Sequence, residues 1–311
     1  MAGLATGAAR VSRRRPVTGS TRTLISSAQL NRRRGKITYR IILTLVIVVF
    51  TLVFIGPLYF LFADGLKSTQ EAIATPPTLY PHHLDPSTYK AAFDRLDIAR
   101  LLWNTLYYAF GALAFQLIFD VAAAYSLSKL RPALGNVIFF MMLATLMIPS
   151  TVLVVPQYVT IADLPILHIN LIGTPEAIWL PSVANAFNIF LLKRFFDSIP
   201  AEFIEAAQID GASRLRILRS IVLPISRPII GVVSIFGLVA VWKDFLWPLL
   251  VEYGYSPTRE TLNVGIWQAS GTTEQNLIIA ASAMAAVPTI IFFLIFQRNI
   301  IAGLTSGGIR G

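Results

Sequence analysis

Enzymatic chemistry, metal binding and nucleotide binding each need a recognisable set of side chains, and this sequence is short of all three. The chain has no cysteine and only three histidines, His82, His83 and His168. His82 and His83 could offer two imidazoles to a metal, but no third ligand stands at a suitable spacing. The phosphate cradle Gly-x-x-x-x-Gly-Lys-Ser/Thr is absent, because Gly35-Lys36 is followed by Ile37 and lacks the preceding glycine. The expectation is therefore no catalytic set, no metal and no cofactor of the chain's own. The notable polar residues sit instead within apolar runs: Gln116 and Asp120, Asn185 and Asn188, and the group Trp242, Lys243, Asp244 and Trp247. Polar side chains in such runs are costly and usually face a cavity or a partner. Each amide or acid pair is three or four residues apart and shares one helix face. Tryptophan beside polar neighbours suits a sugar ring, whose C–H face stacks while its hydroxyls take hydrogen bonds. On that ground Asn185, Asn188, Trp242, Lys243, Asp244 and Trp247 are candidates for a substrate path. Packing between helices is the competing account of the same residues, and for Asp120 it is the preferred one.

The elements that hold these residues are written in the composition. The 311 residues are 55% hydrophobic and 14% charged, with mean hydropathy +0.65. A soluble domain carries about 25% charged residues. Six apolar segments approach the roughly 20 residues that cross a bilayer. They are 41–62, 105–126, 137–158, 177–196, 229–250 and 277–296. The fourth is the weakest, since Pro181, Asn185 and Asn188 interrupt it. The run 41–62 is too long for a signal-peptide core and ends without a small-x-small cleavage pattern.

The net charge of +10 does not point to nucleic acid, because all of the excess lies in residues 1–40, which hold ten basic residues and no acidic one. Residues 1–36 are expected to be a disordered basic arm in the cytoplasm, able to touch anionic lipid. With the N-terminus inside, the inside segments carry twenty lysines and arginines and the outside loops five. That asymmetry predicts an all-α membrane protein with six transmembrane helices and both termini cytoplasmic. Residues 37–311 form its membrane domain, with a long inside loop at 198–224 and an inside tail at 298–311. No internal repeat is visible.

The loop from Ser198 to Pro224 is the most informative stretch. Pro200 suits a first helical turn, and Glu202 and Glu205 sit near its positive end. Asp210-Gly211 should stop that helix, with Gly211 free to adopt the positive φ a stop requires. Ser213 can cap a second helix over 214–221 that ends before Pro224. Small residues Ala206, Ala207 and Ala212 near the bend let another surface approach closely.

Glu205-Ala206-Ala207, Asp210-Gly211-Ala212 and Ile221-x-Leu223-Pro224 resemble the EAA loop of ABC-importer permeases. Trp103-Asn104-Thr105, Ile148-Pro149-Ser150, Pro156, Phe195-Phe196-x-x-Ile199-Pro200 and Thr261-Leu262-Asn263-Val264-Gly265 fit the same family. Trp242-x-Asp244-Phe245-Leu246-Trp247-Pro248-Leu249 closely resembles the fifth-span signature of carbohydrate importers. The resemblance covers about 65–311 and is nearest to the maltose-type second permease; the long basic arm departs from it. It implies a type I ABC-importer permease fold in a bacterial inner membrane. It also implies a homologous second permease, an ABC ATPase dimer that binds ATP and magnesium, and an extracellular or periplasmic sugar-binding protein. Glu205, Ala206, Ala207, Asp210, Gly211 and Ala212 would then dock on the ATPase. The implied cargo is a carbohydrate. An amino acid, peptide or anion importer stays open, as does a secondary transporter without an ATPase.

Overall fold

Every regular element among the described residues is a helix; the computed structural model describes residues 33–255 and 258–306. The chain divides into two units, Met1–Leu58 and Tyr59–Gly311. Helix α1, Arg33–Asp64, supplies the described part of the first unit, and an 18-residue window within its Gly35–Asp64 stretch reaches a mean hydropathy of 2.9. The expected arm therefore ends earlier than Lys36: Arg33 to Lys36 are already helical, and residues 1–32 lie outside the described residues.

In the second unit, α2 (Thr69–Ala72) and α3 (Ser87–Arg95) precede the long α4 (Ile98–Tyr125), which runs on through a π turn, Ser126–Leu130. Next come α5 (Gly135–Thr145), α6 (Ser150–Ala162), α7 (Glu176–Ser182) and α8 (Ala186–Asp197). The 198–224 stretch holds α9 (Ala201–Ile209) and α10 (Arg214–Ile217), and a π turn, Leu218–Val222, joins α10 to α11 (Leu223–Ile225). Helices α12 (Arg227–Lys243), α13 (Leu246–Val251), α14 (Leu262–Ala269) and α15 (Gln275–Ser306) complete the chain. The second helix of the loop thus continues past Pro224, whose missing N–H falls directly after the π turn, where the regular helical hydrogen-bond pattern is already shifted. The expected tail from 298 is helical as far as Ser306.

Among the described residues, three continuous helices are long and apolar enough to cross a bilayer: Gly35–Asp64, Ile98–Leu130 and Gln275–Gln297. Counting each bent pair, α5 with α6 (107°) and α10–α11 with α12 (83°), as one span gives up to five. The segment expected as a fourth span is divided into α7 and α8, and neither helix alone is long enough to cross a bilayer.

Local chemistry explains the breaks. Between α5 and α6, Pro149 is extended (ψ 127°) and cannot donate a backbone N–H. Before α8, Asn185 is extended and its side chain accepts the Asn188 N–H at 3.1 Å, an N-cap. Before α13, Asp244 is extended and accepts the Trp247 N–H at 3.4 Å. So the fifth segment breaks at Asp244-Phe245, ahead of Pro248.

Buried clusters hold the pieces. One gathers Tyr125, Leu192, Phe196, Ile199, Ile217, Val222 and Val233 at the loop end. A second joins α3, α4, α14 and α15 around Leu101, Trp242 and Leu262. A third packs Tyr108, Ile178, Trp247 and Val251. Helices α4 and α12 cross closely at Gly237, where a Cβ would collide with the Gln116 side chain.

Candidate functional site

The two ends of the proposed machinery are built differently. At the loop end, α9 stops as expected: Gly211 has φ +75°. Its N–H donates to Gln208 O at 3.0 Å, and the Ala212 N–H donates to Ala207 O at 2.9 Å. Those two bonds are the Schellman pattern, which caps the carbonyls left open at a helix C-terminus. Ser213 then caps α10 by accepting the Arg216 N–H at 3.3 Å. Glu205, Ala206, Asp210 and Gly211 are exposed, Ala207 and Ala212 half-buried, and a Cβ on Gly211 would meet nothing within 4 Å. Phe203, Ile209 and Leu215 are also exposed, Ile209 to 86%, so the knob presents apolar side chains around a bare backbone.

The knob is fixed to the helices behind it. Tyr125 Oη donates to Arg214 O at 3.0 Å, and Lys129 Nζ donates to Ile199 O at 3.0 Å. Asp197 accepts from Ser128 Oγ at 2.6 Å and from Lys193 Nζ at 2.8 Å. Ile217 and Val222 are buried against Tyr125, Phe196 and Val233. The knob is thus tied to α4 and α8 by hydrogen bonds and to α12 by packing.

At the other end, a cavity of about 330 Å³ lies where the broken helices meet. Ser150, Thr151, Val154 and Gln157 of α6, Pro181 and Ser182 of α7, and Asp244, Leu246 and Trp247 at the α12–α13 break line it. Ser150, Val154 and Gln157 are four and three residues apart, so α6 offers one face. Among the described residues the Ser150 and Thr151 hydroxyls and the Gln157 amide have no hydrogen-bond partner. Ser182 Oγ donates to Ile178 O at 3.1 Å.

The six path candidates separate. Asp244 and Trp247 line this cavity, and Trp247 is anchored by Nε1 donating to Ala177 O at 2.9 Å. Trp242 and Lys243 line a different, open groove of about 620 Å³ beside Phe245, Asn263 and Trp267. Trp242 is buried and its Nε1 donates to Ala285 O at 3.3 Å. Asn185 and Asn188 line neither space. They form the α8 cap, and the Asn185 N–H donates to Asp120 Oδ1 at 2.9 Å. Asp120 is fully buried and thereby satisfies the backbone opened by the α7–α8 break. Sequence reasoning missed Ser150, Thr151, Gln157 and Ser182; the i, i+4, i+7 repeat of Ser150, Val154 and Gln157 after a proline was the available signal.

Asn104 and Thr105 pin a loop on the far side of the molecule from the knob. Asn104 Nδ2 donates to Glu260 O at 3.0 Å, and Thr105 Oγ1 accepts the Leu262 N–H at 2.8 Å. Glu252, just beyond α13, is fully buried beside the Tyr108 side chain. Burial pushes its carboxyl up to about 7, against the downward pull of neighbouring Tyr108 and Arg259.

Residues 121–305 match the family of binding-protein-dependent transport system inner membrane components. The chain belongs to this family. It is 30% identical over 276 residues to the sn-glycerol-3-phosphate transport system permease protein UgpE of Brucella suis, covering 85% of this chain and 93% of that protein. The Escherichia coli O1:K1 / APEC protein of the same name is 30% identical over 260 residues, 81% of this chain and 91% of that one. In fold, the permease resembles a chain of a bacterial ABC transporter that imports the acidic polysaccharide alginate. The TM-score is 0.74 at 24% identity, over 86% of this chain and 98% of that one. A chain of the alginate transporter in complex with its periplasmic protein bound to an alginate pentasaccharide gives 0.58 at 19% identity, over 85% of this chain and 94% of that one. The permease is thus an all-helical, multi-pass inner-membrane transport subunit with the type I ABC-importer fold.

Proposed function

We propose that this permease is one half of the membrane path of a carbohydrate importer, driven by a separate ATPase pair through Glu205 to Pro224. The observation that carries the cargo is the cavity lined by Ser150, Thr151, Gln157, Ser182 and Asp244 where α6, α7 and α13 meet. Irregular backbone at membrane depth is tolerated where it lines a cavity. Hydroxyl, amide and carboxylate groups are the natural partners of sugar hydroxyls. The relatives' transport of a glycerol phosphate and the fold neighbour's import of a polysaccharide agree with a polyol or sugar cargo.

In this reading the chain crosses the membrane six times with both termini in the cytoplasm. The charge asymmetry supports that topology, with α7 and α8 together making the fourth crossing. A homologous second permease completes the path, and an external binding protein delivers the sugar. The ATPase pair binds ATP and magnesium. The exposed knob around Gly211 docks on it, and the Tyr125 and Lys129 anchors carry its movement to the cavity. Import of an organic phosphate is the second reading, favoured by the relatives' name and by exposed Lys243 in the larger groove. Uptake of labelled sugars by a strain lacking this gene, with and without the gene restored, tests the proposal. Sugar uptake that does not depend on the gene would refute it.

A further inference from the structure

Resting on the carbohydrate reading above, we infer that the cavity at the helix breaks selects a neutral, hydroxyl-rich solute, and that Asp244 is the residue that sets this choice. The lining contains one carboxylate and no lysine, arginine or histidine. Lys243, the neighbour of Asp244, belongs to the other groove because the backbone is extended between α12 and α13. The break thus separates an adjacent cation and anion onto two surfaces, and the one with the free hydroxyls keeps the anion.

Asp244 is equipped for this role. Oδ1 is engaged by the Trp247 N–H at 3.4 Å, which fixes the carboxylate at the start of α13. The Phe245 and Leu246 N–H groups, at the same helix start, also bond the carboxylate, and Lys243 lies near enough to act on its charge. Across the cavity, Ser150, Thr151 and Gln157 supply donors and acceptors that no other side chain among the described residues uses. A sugar ring bearing vicinal hydroxyls can donate to the carboxylate and exchange bonds with the hydroxyls and amide at once. A phosphate or uronate in the same place would bring a second negative charge to a carboxylate whose neighbouring cation, Lys243, lines the other groove and offers this cavity no positive group. At 4 Å and the effective dielectric of a protein surface, such a like pair costs several kcal/mol before screening.

The test uses cells that carry the whole transporter and lack only this gene, complemented with wild type or with Asp244→Asn. Asparagine caps a helix as well as aspartate does, so α13 keeps its start. The panel is labelled glucose, maltose, trehalose and raffinose against sn-glycerol 3-phosphate, glucuronate and an oligouronide. Wild type should import at least one neutral sugar and none of the anions. Asp244→Asn should weaken the half-saturating concentration for that sugar roughly 10-fold, the gap between a charge-assisted and a neutral hydrogen bond. Gln157→Leu, which leaves α13 untouched, should weaken it as well. Gene-dependent uptake of an anionic carbohydrate in preference to the neutral ones would overturn this inference and leave the carbohydrate reading standing. Neutral uptake unchanged in Asp244→Asn would also overturn it. Gene-dependent uptake of no carbohydrate at all would overturn both.

Discussion

Replacing Gly211 separates two roles that one residue combines. Its φ of +75° is the left-handed region, where a Cβ meets the following carbonyl oxygen. Alanine there costs about 1–2 kcal/mol, whereas asparagine tolerates the region far better. The chain itself adds no steric cost, since nothing lies within 4 Å of the added Cβ. Gly211→Ala should therefore lower the stability of the α9 stop by about 1–2 kcal/mol, a 5- to 30-fold shift in its local opening. Hydrogen exchange at the Gly211 and Ala212 amides, whose bonds to Gln208 and Ala207 close that stop, reads the shift directly. Gly211→Asn should leave exchange near wild type. If the bare backbone at Gly211 is where the ATPase approaches, asparagine should still cut ATPase co-purification and uptake, because its side chain occupies that approach. Full uptake and full ATPase recruitment in Gly211→Asn would refute close docking at this position. Unchanged exchange in Gly211→Ala would refute the conformational argument.

Tyr125→Phe removes the hydroxyl that donates to Arg214 O and should loosen the knob by about 1 kcal/mol; solute imported per ATP hydrolysed should fall while ATPase binding persists. Glu252 carries a pH dependence: its carboxyl is raised from 4.5 to about 7, so the stability it allows is complete below pH 4.5 and is lost as pH rises through 7. Burial is the cause, and the full loss is up to about 3 kcal/mol at 1.36 kcal/mol per unit. Glu252→Gln should melt higher than wild type at pH 8 in detergent and show a flatter profile between pH 5 and 8. Gly111→Ala should destabilise by about 1–3 kcal/mol, because the added methyl would collide with the rigid Trp179 ring; a melting temperature equal to wild type would contradict the packing of α4 on α7.

The sequence alone determined the parts whose causes are local. Apolar runs need no partner to declare a membrane solvent, and a basic arm needs none to suggest an inside face. The Asp210-Gly211-Ala212 stop and the Ser213 cap follow from φ/ψ preferences and side-chain reach within a few residues, so both were legible and both occur. Where the structure arranges residues differently from their spacing in sequence, the cause is tertiary. Asn185 and Asn188 read as amides sharing a face, yet Asn185 starts a helix, and its N–H goes to Asp120, 65 residues away in sequence. Trp242, Lys243, Asp244 and Trp247 read as one group. An extended turn at Asp244 sends Lys243 and Asp244 to different spaces, and no periodicity rule spans a break in the helix. The cavity itself needed Ser150 from one broken helix, Ser182 from a second and Asp244 from a third. Their meeting depends on how the buried clusters around Trp247 and Phe196 pack the pieces, which only the folded chain fixes.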